Sequence, residues 1–187
     1  MTTCTEQQTQ LSEEILARIS SDLSMITDRE FKIEEMNCEL AEQRAVGKEK
    51  IHISFKLGFQ SEDGDVQHGC IIMPLADAIS LACFLMMVPD DGVKTKRAVT
   101  DLDESLKDAL IEVSNFIGGA ADAALREAID LGTKVRSEGC QGVRPDVRPA
   151  FIYEDGQPLL VTTARAQIHE FEEFEMVAMI PPLGDPQ

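Results

Sequence analysis

The residues best placed to do chemistry are Asp108, Glu112 and Asn115, separated by four and then three positions. In an α-helix each such step returns to nearly the same azimuth, so the three side chains would stand one above another. Two are acids and one is an amide. A carboxylate accepts hydrogen bonds from a cationic side chain, whereas a carboxamide both donates and accepts and so can hold a water without adding charge. Gly119, four residues past Asn115, extends the same stripe.

The surrounding text supplies the helix. Leu106, Leu110, Val113, Ile117, Ala120 and Ala124 form a continuous apolar stripe, and shifting each by two positions gives Asp108, Glu112, Asn115, Gly119, Asp122 and Arg126, about 200° away on the opposite face. A helix selected only for stability would not carry Asn115, Gly118 and Gly119 in its middle turns, because each glycine costs about 1 kcal/mol relative to alanine. Two explanations stand: the small residues from Gly118 to Ala124 let another helix cross closely, or Gly119 beside Asn115 lets a partner approach.

The tetrapeptide Glu-x-x-Asn is weak evidence by itself. The chain has two asparagines, Asn37 and Asn115, and both follow a glutamate by three positions, Glu34 and Glu112. Glu34 and Asn37 fall in strand text, where residues three apart point to opposite faces. Context separates the two sites.

Composition narrows the function classes. The 187 residues hold 34 Asp+Glu against 17 Lys+Arg, a net charge of −17, which opposes nucleic-acid binding and anionic lipid surfaces, since both recruit cations. With no Trp and one Tyr, base-stacking platforms lack material. Cys4, Cys38, Cys70, Cys83 and Cys140 are scattered, with neither zinc spacing nor a disulfide framework, and read as reduced thiols of a cytoplasmic protein. The first residues show no basic region followed by an apolar run, so no signal peptide is expected. His52, His68 and His169 lie on the polar phase of strand text and read as surface residues. A metal held by His169 with Glu170, Glu172 and Glu173 is disfavoured, because strand alternation scatters those side chains.

Around the motif helix, the chain reads as one domain over residues 1–187, with the first ten uninformative and open to disorder. Leu11, Ile15, Ile19, Leu23 and Ile26 mark an N-terminal helix with Thr9 or Ser12 as caps. Phe31, Ile33 and Met36 suggest a short strand, Ile51 to Phe59 a clear one, and Val66 to Met73 its antiparallel partner across the Ser61–Asp65 turn. Leu75 to Val88 is an apolar helix that would rise about 21 Å, too short for a bilayer core of about 30 Å. Met86 and Met87 read as core filler, and Lys94, Lys96 and Arg97 as an exposed connection or as charge relief near an acidic partner. The long helix runs from about Asp103 to Leu131, stopping at Gly132, and three strands follow: Ala150–Tyr153, Leu159–Gln167 and Glu173–Ile180. The result is an α+β domain, a largely antiparallel sheet covered by helices.

Asp108, Glu112 and Asn115, followed by Gly118-Gly119, resemble the signature of the CheC/CheX/FliY chemotaxis phosphatases, an Asp or Ser, three residues, a Glu, two residues and an Asn. The segment Gly69 to Met87 is similar to the strand and helix that precede the motif helix in that family, and the likeness spans roughly Leu11 to Pro181. The N-terminal helix lacks a second motif, since Glu13 and Glu14 are followed at the third position by Leu16 and Ala17, which is the CheX-like arrangement. The family's proline some twenty-odd residues after the Asn is missing before Pro145, and Ser137 to Gly142 reads as a longer loop.

The resemblance implies a phosphatase for the aspartyl phosphate of a CheY-like response regulator. Asn115 would orient the attacking water, Glu112 would pair with the regulator's lysine, and Asp108 and Gly119 would border the bound partner. It also implies a homodimer and no cofactor of its own, with Mg2+ belonging to the regulator. A non-catalytic adaptor binding a receiver domain or a flagellar-switch component remains the alternative, as does a merely solvated helix face.

Overall fold

The computed structural model describes residues 2–128 and 132–183. The elements, in order, are β1 (Thr2–Thr3), α1 (Glu6–Thr27), β2 (Phe31–Ala41), β3 (His52–Gln60), β4 (Val66–Pro74), α2 (Leu75–Leu85), α3 (Asp90–Lys96), α4 (Glu104–Ala128), β5 (Lys134–Val143), β6 (Leu159–Ile168) and β7 (Phe174–Ile180). The strands make one sheet in the order β1-β2-β6-β7-β4-β3-β5, antiparallel at every step. The α+β architecture expected from the sequence is what the chain adopts. Among the described residues, no helix is long and apolar enough to cross a membrane.

Burial is asymmetric across the sheet. On one face Leu11, Ile15, Ile19 and Leu23 of α1, Ile79 and Leu81 of α2 and Leu110, Val113 and Ile117 of α4 close over Phe31, Phe55, Leu57 and Phe59. On the other, Cys70, Ile72, Leu159, Val161, Val177 and Met179 form a smaller cluster under Ala41, Ala45, Phe151 and Tyr153. There Arg44 stacks its guanidinium over both rings and donates to the Pro149 carbonyl at 2.8 Å. The larger core therefore fixes α4 by its whole apolar stripe.

Four segments depart from the sequence expectation. α1 starts earlier, because Thr5 forms a capping box with Gln8; residues 6–10 are helical, not disordered, and Thr9 and Ser12 lie inside the helix. Ala150–Tyr153 is not a strand but a connection laid over the second core. Ser137 to Gly142 is not a loop but part of β5, an edge strand paired with β3. Asp90–Lys96 is a short helix that buries Val93. Of the long helix, Ile129 to Leu131 lie outside the described residues, and Gly132 follows with φ +64, a conformation glycine adopts without steric cost.

Two further readings are corrected by burial. His52 is buried, its Nδ1 2.7 Å from the Lys50 carbonyl oxygen, while His68 meets Glu138 at 2.8 Å and His169 meets Asp90 at 3.2 Å. Arg97 turns inward: it pairs with buried Asp77 at 2.9 Å, donates to Ser80 Oγ and to the Ala76 carbonyl, and lies over Phe171. Desolvation raises the Asp77 carboxyl above its usual range, and Arg97 opposes the rise. Arg97 is thereby committed to the fold and unavailable to a partner.

Candidate functional site

α4 begins where the Asp103 carboxylate accepts the Leu106 N–H at 2.8 Å, a side-chain cap on the first turn. From there the helix buries Leu106, Leu110, Val113, Ile117, Ala120 and Ala124, the stripe read from the sequence. Asp108, Glu112, Asn115 and Gly119 consequently stand together on the exposed side. Ion pairs of this helix engage Glu104 with Lys107, Asp122 with Arg126 and Glu127 with Arg18 of α1; Asp108 and Glu112 belong to none among the described residues.

The middle of α4 is held by β5. Ser114 Oγ lies 2.7 Å from Ser137 Oγ and donates to the Gly139 carbonyl at 3.1 Å. A Cβ on Gly118 would meet the Ser137 backbone nitrogen at 2.7 Å, whereas one on Gly119 would meet nothing within 4 Å. The adjacent glycines thus have different causes. Gly118 is a close crossing with a strand, not with the helix expected from sequence, and Gly119 keeps the exposed face low. Asp122, which shares the stripe by phase, accepts the Val135 N–H at 2.9 Å and so serves the α4–β5 junction.

Beside the acids is a hollow of about 570 Å³ lined by Leu85, Met86, Ser105, Asp108, Ala109, Ile111 and Glu112. Met86 and Ile111 of its lining are exposed, as are Met87, next to Met86 in the chain, at 88%, and Phe116, next to Asn115. Met87 was expected as core filler. Instead it follows the end of α2 with φ +60 and projects into solvent. Ile111 and Phe116 were not singled out from sequence, although both lie off the apolar phase of α4, the signal by which they were findable.

Among the described residues no three His, Cys, Asp or Glu side chains converge on a metal position. The other Glu-x-x-Asn tetrapeptide needs a different account from the one expected. A bulge between Glu34 and Asn37 sets three steps of β2 against two of β6, from Arg165 to Thr163, so both side chains return to the outer face. Their separation onto opposite faces, expected from simple alternation, does not occur.

No protein-family model matches the chain, and no curated protein does. Solved structures are similar. FliY from Thermotoga maritima superposes with a TM-score of 0.65 at 15% identity over 95% of this chain and 91% of that one. CheX from Desulfovibrio desulfuricans gives 0.57 at 16% identity over 90% of this chain and 97% of that one. The FliM middle domain from H. pylori gives 0.63 at 9% identity over 95% of this chain and 94% of that one. These superpositions over nearly the whole chain establish that it has the CheC/CheX/FliY fold.

Proposed function

We propose that the chain is a phosphatase that hydrolyses the aspartyl phosphate of a CheY-like response regulator. The observation that carries this reading is Glu112 and Asn115 one turn apart, exposed, on a helix whose opposite face is wholly buried, beside an apolar-rimmed hollow. Such a helix can enter another protein's active site without unfolding its own core. The Asn115 amide would orient a water for in-line attack on phosphorus, with the regulator's aspartate leaving as carboxylate and inorganic phosphate as the product. Glu112 would hold the regulator's lysine, and Asp108 and Gly119 would border the bound partner. Magnesium, where used, would be the regulator's.

The test is to mix the purified protein with a phosphorylated receiver domain and follow the lifetime of the acyl phosphate. A shortened lifetime supports the proposal. Stable binding with an unchanged lifetime supports instead an adaptor that docks a receiver or a flagellar-switch component. That second reading is favoured by the likeness to FliM middle domains, one of them from a FliG–FliM complex. We also propose a homodimer, which would bring two motif helices into one particle. A light-scattering mass of only 20.6 kDa would remove it.

A further inference from the structure

We propose that Cys4 and Cys38 are a reversible dithiol–disulfide pair, oxidised by small uncharged or cationic disulfides, whose closure fastens β1 to β2. The register places them. Thr2 faces Leu40 and Thr3 faces Glu39, so Cys4, the first residue past the end of β1, comes up beside Cys38 of β2. Directly opposed antiparallel residues have Cα atoms about 4.5–5.5 Å apart, inside the span a disulfide bridges. The two sulfurs already lie 3.0 Å apart, and bond formation at about 2.05 Å needs a movement of about 1 Å.

Accessibility separates this pair from the other thiols. Cys70 and Cys83 are buried, and half-buried Cys140 has no sulfur neighbour among the described residues. Cys4 and Cys38 are both half-buried, and Cys4 opens onto a surface hollow of about 570 Å³ formed with Glu6, Thr9, Gln10 and Glu13. Two carboxylates in that lining, with the charge of Glu39 acting on Cys4, repel anionic reagents and select the class of oxidant. Burial and the neighbouring thiol push Cys4 up to about 12, which makes the first attack slow at neutral pH.

In the exchange, one protein thiol loses its proton to solvent and attacks the small disulfide, expelling one reagent thiolate. The second protein thiol, also deprotonated, displaces the remaining reagent thiol. Two protein thiols and one disulfide become one protein disulfide and two reagent thiols. A sulfur held at 3.0 Å makes the second step intramolecular, so the mixed disulfide does not accumulate.

The experiment treats the full chain at pH 8 with cystamine and, in parallel, with oxidised glutathione. After trypsin without reduction, the expected product joins residues 1–18 to 33–44, leaving three of the five cysteines alkylatable in the unfolded chain. Closing a cross-link between residues 34 apart should raise the melting temperature by about 5 °C or more, and reductant should reverse it. Cystamine should react several-fold faster than oxidised glutathione at low salt, the gap narrowing as salt is added. In Cys38→Ser, Cys4 should retain the cysteamine adduct and the melting temperature should not rise. Wild-type protein carrying reagent on both Cys4 and Cys38, a link through Cys140, or Cys4 and Cys38 both still free after Cys140 in the same sample has reacted would each overturn the proposal. An anionic reagent that reacts as fast as the cationic one would overturn the stated oxidant class.

Discussion

The chain presents the same tetrapeptide twice, and the difference between the copies lies in what stands around them. Glu34 and Asn37 share the outer face of a bulged strand, where Arg165 lies 2.7 Å from Glu35, 3.6 Å from Glu173 and 3.9 Å from Glu34. Glu112 and Asn115 share the outer face of a helix with an adjacent hollow and four exposed apolar side chains. Same-face geometry is common to both, so it does not define a site. What sets the second copy apart is an acid without an ion partner among the described residues and an apolar border.

The comparison breaks most sharply at the two amides. Asn115→Ala should slow receiver dephosphorylation by about 10²-fold or more, about 3 kcal/mol of transition-state stabilisation, while leaving the melting temperature in place. Asn37→Ala should leave the rate within about twofold by the same phosphate-release assay, since that amide is exposed on β2 and not on α4. Equal rates for the two variants would erase the distinction.

The adjacent glycines sharpen the account of α4. Gly118→Ala sets a methyl group against the Ser137 backbone at 2.7 Å, so denaturant titration should show a loss of about 1–3 kcal/mol. Gly119→Ala meets open space and should gain up to about 1 kcal/mol from helix propensity. If the proposed docking uses this face, the same methyl group should weaken receiver binding despite the gain in stability. Opposite signs at neighbouring positions are the diagnostic result.

A smaller effect is expected at the charges. Glu112→Gln keeps the shape but removes the anion offered to the regulator's lysine, and should weaken receiver binding by about tenfold, about 1.4 kcal/mol, with less dependence on salt. Arg165→Ala removes the exposed charge cluster on β2 and should change stability by less than about 1 kcal/mol, measured by thermal melting.

What the sequence made legible follows from periodicity. Ile51 to Phe59 alternates and became β3; the stripe from Leu106 to Ala124 repeats at helical spacing and became α4, which correctly put Asp108, Glu112, Asn115 and Gly119 outside. β5 was hidden because an edge strand buries little, here Val135 and Val143, and because Gly139, Gly142 and a register shift against β3 interrupt its pattern. Phe151 and Tyr153 gave a false strand signal. Their rings fill the second core from an irregular connection, and apolar composition does not distinguish the two. The alternation of β2 failed at its bulge, where Glu35 adopts φ +50, so the face assignment of Asn37 was inverted. Of the site, the polar residues were visible, but the apolar border needed the end of α2 brought beside α4 in space.

The hydroxyl pair between Ser114 and Ser137 sits one residue before Asn115, near the midpoint of a helix that is otherwise supported along its underside. Mechanically, α4 is a beam braced at mid-span from the side. A load at the amide would therefore meet β5, and β3 beyond it, through this contact. The margin of β5 away from β3 ends the sheet, so a strand added there would lie one residue layer from the brace under Asn115.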